Sequence, residues 1–170
     1  MTRALFLDRD GTLIVDVGYP RDPAAVALLP GAADALAALP GEVALVIVTN
    51  QSGLARGLVT PAEAAAVQAE VERQFAAAGV RFAGTYVCPH GPDDGCRCRK
   101  PAPGMLLDAA RALGLDLDRS LMIGDKAADV AAGRAAGCAA LRFASAPDPA
   151  ADVVGWAAAG ARIAAHFGLE

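Results

Sequence analysis

The stretch ALFLDRDGTL, residues 4–13, joins an unbroken apolar run to two aspartates. A short run with no polar alternation reads as a strand buried on both faces, as strands inside parallel sheets are. Asp8 closes the run, Asp10 follows two positions later, and Gly11 and Thr12 come directly after. Two carboxylates this close repel each other unless a cation or a proton lies between them. Capping a turn is the plainer use of either aspartate. A calcium loop is excluded, because its glycine position falls on Leu13 and its closing glutamate position on Tyr19. The pattern after a buried run favours a site over a cap.

Four more runs of the same kind follow: ALVIVT (44–49), GTYVC (84–88), LMIGD (121–125) and AALRF (139–143). Between and after them lie helix-like stretches near 31–39, 61–78, 104–113, 127–136 and 155–167. Thr60 before Pro61 reads as an N-cap followed by proline at the first helical position. Gly79, Gly114 and Gly137 stand where helices should stop. The segment SAPDPAADVVGWAAAG reads as a loop leading into a last surface helix. Strand–helix alternation of this kind predicts a doubly wound α/β domain, residues 1–170, with a mostly parallel sheet. Asp8, Thr49 with Asn50, Cys88 and Asp125 all fall at or just past strand carboxyl ends, where open parallel sheets bind ligands.

The chain has 170 residues, enough for one core without staples. Its net charge of -4 argues against nucleic acid or an anionic membrane as partner, since both call for a basic face. No apolar run approaches the ~20 residues of a membrane span. Met1–Asp8 does not form a signal peptide, so the expected location is cytoplasmic, where thiols stay reduced.

The first stretch, DRDGTL, resembles the opening signature of the haloacid dehalogenase (HAD) superfamily of phosphatases. The other signatures stand in the required order: VIVTNQSG (46–53), Lys100 in CRKP, and MIGDKAAD (122–129). The resemblance implies a Rossmann-like three-layer fold with the first strand central. It makes Asp8 a nucleophile that forms an aspartyl-phosphate and Asp10 the general acid–base. It implies catalytic Mg²⁺ on the Asp8 side chain, the Asp10 backbone carbonyl and the Asp125 side chain, with Thr49, Asn50 and Lys100 on the phosphoryl oxygens. Lys126 is expected to touch substrate. Asp129 is expected to be a plain helix residue on a solvated face, without a role.

CPHGPDDGCRCRK, residues 88–100, gathers three of the four cysteines and one of the two histidines. A disulfide is disfavoured in a reduced compartment, and a Cys-x-Cys bridge would be strained. Redox motifs are more usually Cys-x-x-Cys. Cys88, His90, Cys96 and Cys98 suit tetrahedral Zn²⁺, with reactive or spare thiols as the other reading. Because the four fill the coordination sphere, the zinc is a staple and not a catalytic ion. It pins a loop that ends at Arg99 and Lys100. Arg97 is expected to be a solvated charge, Cys138 a buried small residue and His166 a surface residue.

CPH…CRCRKP together with TNQSGLARG resembles one subgroup: heptose 1,7-bisphosphate phosphatases and the related histidinol-phosphate phosphatases. By that resemblance Asp16, Val17, Gly18, Tyr19, Gln51, Ser52 and Arg99 join the substrate contacts. The gaps at roughly 9–43 and 50–83 each have room for loops and one helix, so the fold should be capless. Specificity then falls to loops 16–22, 51–58 and 89–100, which carry Tyr19, Arg21, Arg56 and Arg99. Arginines there would suit a second phosphate. The resulting expectation is a Mg²⁺-dependent monomeric phosphatase that removes the 7-phosphate of a heptose bisphosphate. The alternatives are a histidinol-phosphate phosphatase and a non-catalytic phosphosugar-binding domain.

Overall fold

The computed structural model describes residues 2–169. Its strands are β1 (Ala4–Leu7), β2 (Ala44–Asn50), β3 (Gly84–Cys88), β4 (Leu121–Gly124), β5 (Ala139–Ala144) and β6 (Val153–Val154). The helices are α1 (Ala32–Ala37), α2 (Pro61–Ala77), α3 (Gly104–Leu113), α4 (Ala127–Ala136) and α5 (Gly155–Phe167). The six strands form one sheet in the order β3-β2-β1-β4-β5-β6, and every pairing is parallel. Leu5 on β1 sits opposite both Leu45 on β2 and Leu121 on β4.

All four residues of β1 are fully buried, because helices cover both sides of the sheet. Leu5, Leu7, Leu45, Ile47, Leu121 and Ile123 share one core with buried residues of α1, α2 and α5. Ala4, Phe6, Val46, Val48 and Met122 share the other with α3 and α4. The period of two along each strand therefore separates two apolar layers, and full burial contributes about 1.5–3 kcal/mol per large aliphatic side chain. The result is the doubly wound α/β domain expected from the runs, with the Rossmann-like three layers that the resemblance implies.

The helix punctuation follows the sequence. Thr60 accepts a hydrogen bond from the Glu63 N–H at 3.2 Å, and Glu63 Oε2 accepts one from the Thr60 N–H at 2.8 Å. This reciprocal cap starts α2. Two expectations need correction. Val153 and Val154 are not loop but a sixth strand beside Phe143 and Ala144, too short to register as a run. Helix α5 is not merely superficial: Trp156, Ala159, Ile163 and Phe167, spaced at helical intervals, are buried in the core. Cys138 is buried and His166 exposed, as expected.

The chain moves outward from β1 through β2 to β3, then returns to place β4 on the other side of β1. Loops leaving the adjacent β1 and β4 thus diverge and open a crevice at the carboxyl ends of the strands. Between β1 and β2 the described chain has a one-turn 3-10 helix and α1; between β2 and β3 it has α2. The fold is capless.

Candidate active site

Lys100 arrives from the loop after β3 and is driven into the crevice, leaving it 4% exposed. Its ammonium donates to Asp8 Oδ1, to Asp129 Oδ1 and to the Val48 carbonyl, each at 2.7 Å. Three donors meet three acceptors, which satisfies the buried charge. Burial alone would lower the Lys100 pKa, but the carboxylates of Asp8 and Asp129 hold it above its usual value. Asn50 fixes the backbone of Lys100 from both sides: its amide donates to the Lys100 carbonyl and its oxygen accepts from the Lys100 N–H, both at 3.1 Å. A turn-forming asparagine at the end of β2 therefore aims the lysine at Asp8.

Asp10 is held differently. Gln51 donates to its Oδ2 at 2.7 Å and to Thr49 Oγ1 at 2.8 Å. Arg9, only 2% exposed, lays its guanidinium along the same carboxylate, with Nε 3.2 Å and Nη2 3.1 Å from Oδ2. The far side of that guanidinium donates to Gln68 Oε1 on α2 at 3.2 Å.

Asp8, Asp125 and Asp129 each place a carboxylate oxygen within 4.8 Å of the others. Burial first, and then the neighbouring Asp8 carboxylate, push the Asp125 pKa up to about 7. Among the described residues, Asp125 Oδ1 is buried with no hydrogen-bond partner. Gly11, at φ 80°, passes so close that a Cβ there would stand 2.5 Å from Asp125 Oδ2. Four carboxylates converge here (Asp8, Asp10, Asp125 and Asp129) against the buried cations Arg9 and Lys100. The deficit of two positive charges, the orphaned oxygen and the all-oxygen donor set fit a hard divalent ion such as Mg²⁺.

Asp129 corrects the sequence reading. It is 2% exposed, pairs with Lys100 and accepts a hydrogen bond from the Lys126 N–H at 2.9 Å. It belongs to the site. The signal was its place four residues after Asp125, which returns it to the same end of α4.

A cleft of about 370 Å³ opens above this floor, lined among others by Asp16, Gly18, Tyr19, Ser52, Arg99 and Lys126. Asp16 shapes the first wall by accepting from the Gly18 N–H at 2.8 Å, and its other oxygen lies 4.0 Å from the Lys126 ammonium. Val17 does not line the cleft; its side chain is exposed in the same loop. Nor do Arg21 and Arg56. Arg21 faces Glu63 at 3.7 Å, and Arg56 is exposed on its loop. The loop arginine that does reach the cleft is Arg99.

Arg99 is set by the cysteine loop. Cys88 Sγ lies 3.7 Å from Cys96 Sγ, 3.2 Å from Cys98 Sγ and 3.6 Å from His90 Nδ1; Nδ1 lies 3.3 Å from Cys98 Sγ. Tetrahedral Zn²⁺ places such donors about 3.5–3.8 Å apart; the Cys88–Cys96 and Cys88–His90 spacings match, and the two to Cys98 are a few tenths of an ångström shorter, so the cluster could hold zinc after a small opening at Cys98. All four cysteines are free thiols. Burial, then the Cys98 contact, push the Cys88 thiol up to about 12. At Cys96, burial is outweighed by the Arg99 N–H and other donors, and the thiol falls to about 7. Arg99 donates backbone N–H to Cys96 Sγ at 3.4 Å and its guanidinium to the His90 carbonyl at 3.1 Å. Arg97 points away into solvent, paired with Asp108 at 2.8 Å. Gly104, the first residue of α3, carries this loop on its back: a Cβ would lie 2.1 Å from the Arg97 carbonyl.

Residues 97–168 match the HAD-hydrolase-like family. The chain is 44% identical over 142 residues to a D-glycero-beta-D-manno-heptose-1,7-bisphosphate 7-phosphatase of Vibrio cholerae, covering 79% of this chain and 76% of that one. Among solved structures, it resembles a D,D-heptose 1,7-bisphosphate phosphatase of B. bronchiseptica complexed with magnesium and phosphate. That likeness has a TM-score of 0.83 and 36% identity, over 95% of this chain and 97% of the other. A putative HAD-like phosphatase from Mesorhizobium loti aligns with a TM-score of 0.86 and 37% identity, over 98% of this chain and 87% of the other.

Proposed function

The chain belongs to the family of the D-glycero-beta-D-manno-heptose-1,7-bisphosphate 7-phosphatases, and from that premise we propose that it hydrolyses the 7-phosphate of the β-anomer. The observation that carries the reading is the buried Lys100–Asp8 pair facing Asp125 and Asp129 at the strand ends. Lys100 occupies Asp8 Oδ1, which fixes the carboxylate and leaves Oδ2 to attack phosphorus. The Asp8 Oδ2–P bond forms as the bond from phosphorus to the sugar oxygen breaks, and Asp10 gives that oxygen its proton. Water then attacks phosphorus and returns a proton to Asp10, and the Asp8 Oδ2–P bond breaks to release inorganic phosphate and restore the carboxylate. Thr49 and Asn50 hold the phosphoryl oxygens, joined by Lys100 when it turns one of the three N–H groups now spent on Asp8, Asp129 and the Val48 carbonyl. Mg²⁺ bound through the Asp8 and Asp125 side chains and the Asp10 carbonyl supplies charge neutralisation between carboxylates and phosphate. Cys88, His90, Cys96 and Cys98 would hold Zn²⁺, and Cys96 and the His90 carbonyl hold Arg99 toward the second phosphate. Asp16, Gly18, Tyr19, Gln51, Ser52 and Lys126 complete the proposed sugar contacts, and Val17 serves as a support of that loop.

Everything invoked lies on one chain, so a monomer suffices, and the reduced thiol cluster suits the cytoplasm. No helix of the described residues is long and apolar enough to cross a membrane. The test is phosphate release with Mg²⁺ from both heptose bisphosphate anomers and from histidinol phosphate. Asp8→Asn is expected to fold normally and to lose at least about 10³-fold in turnover. Substantial residual activity in that variant would refute the nucleophile assignment. Preference for histidinol phosphate would move the protein to the rival substrate.

A further inference from the structure

Asp10 has two oxygens, and its neighbours treat them unequally. Oδ2 accepts two hydrogen bonds, from the Gln51 amide at 2.7 Å and from Arg9 Nε at 3.2 Å, which together take both its lone pairs. Among the described residues Oδ1 accepts one, from Arg9 Nη2 at 3.4 Å, and keeps a lone pair free. Amide and guanidinium N–H groups can only donate, so an oxygen crowded by them cannot also carry a proton. Arg9 is itself immobilised: it is 2% exposed and tethered at its far side by Gln68, which bonds onward to Glu72 at 3.0 Å and Thr85 at 3.3 Å. A buried arginine is costly unless paired, and here its partner is the aspartate beside the nucleophile.

We propose that Arg9 is a positioning residue that, together with Gln51, saturates Asp10 Oδ2 and so directs the transferable proton onto Oδ1. This rests on the phosphatase reading above. In the first half-reaction the Oδ1 proton passes to the departing sugar oxygen as the P–O bond breaks. In the second, the attacking water returns a proton to the same atom. The charge on Arg9 does not change in either step. Gln51 is thereby reassigned from sugar contact to the same clamp.

The test uses leaving-group dependence, which a merely structural role would not move. An alkyl phosphate such as the heptose substrate needs its leaving oxygen protonated; p-nitrophenyl phosphate does not. Values of kcat/KM are compared, because they report steps up to departure of the leaving group and not hydrolysis of the aspartyl-phosphate. Arg9→Met is expected to lower kcat/KM for the heptose bisphosphate about 10- to 100-fold and for p-nitrophenyl phosphate by less than about 3-fold. Most of the loss should lie in kcat, and Arg9→Lys should restore part of it. Should Arg9→Met fail to fold, Gln68→Leu, which releases only the tether, is expected to give the same selective pattern at smaller size. Equal losses on both substrates, or no loss on either, would overturn the proposal. Absence of turnover by the unmodified protein on both substrates would instead refute the phosphatase reading.

Discussion

At the scale of single residues, the site depends on what is missing as much as on what is present. Gly11 lacks a Cβ and adopts φ 80°, and this lets the turn after β1 touch Asp125. Gly11→Ala should cost about 1–2 kcal/mol from the left-handed backbone alone. It should also displace Asp125, so the variant is expected to lose Mg²⁺ binding in calorimetry even where it remains folded. Retained affinity would mean that Asp125 has room to move. The sequence displayed this glycine only as part of a signature. Its reason, a carboxylate that follows a strand 114 positions further along the chain (Gly11 to Asp125), lies in the fold. Asp129 was missed for a similar cause. Its spacing from Asp125 places it beside the site, but its partner Lys100 comes from a different loop, and that pairing is made only by the fold.

At the scale of elements, the cysteine loop and α3 act as one part. Cys98→Ser, or removal of zinc by a chelator, should lower the melting temperature. It should also raise KM for the bisphosphate more than for a monophosphate, because Arg99 is anchored to Cys96 and His90. Equal effects on the two substrates would detach Arg99 from the second phosphate. Elements of this kind were legible in advance where they carried chemistry or strong punctuation. The donors at 88–98, the cap at Thr60 and the start of α3 at Gly104 all have short-range reasons in the chain. The two-residue β6 does not: Val153 and Val154 become a strand only because β5 offers them an edge. Similarly, the sequence offered Arg21 only as one arginine on a candidate loop, and the fold turns it toward Glu63 on α2.

At the scale of the whole molecule, the acidic crevice couples stability to pH and metal. Asp125 is raised from an ordinary value of 3.8 to about 7 in the folded chain. The folded state therefore holds this proton more tightly than the unfolded state does. Its contribution to stability is complete below about 4 and is lost as pH rises through about 7. Mg²⁺ needs the ionised form, so added Mg²⁺ is expected to raise the melting temperature more at pH 8 than at pH 6. An increment independent of pH would mean that Asp125 does not exchange its proton for the metal. The same topology governs how activity is acquired. Leu5 pairs with Leu121, so the middle of the sheet waits for a stretch synthesised more than a hundred residues later. The first three strands alone would present an unsatisfied edge on β1 and would carry Asp8 without Lys100 or Asp125. The sole tryptophan, Trp156, donates to the Thr12 carbonyl at 2.8 Å and so reports the closure of the last helix onto the catalytic turn. Recovery of its fluorescence and recovery of turnover on refolding should share one rate. A shared rate would mean that catalysis begins only when the last strand-to-helix segment docks; turnover that recovers ahead of the fluorescence would mean that the site forms without it.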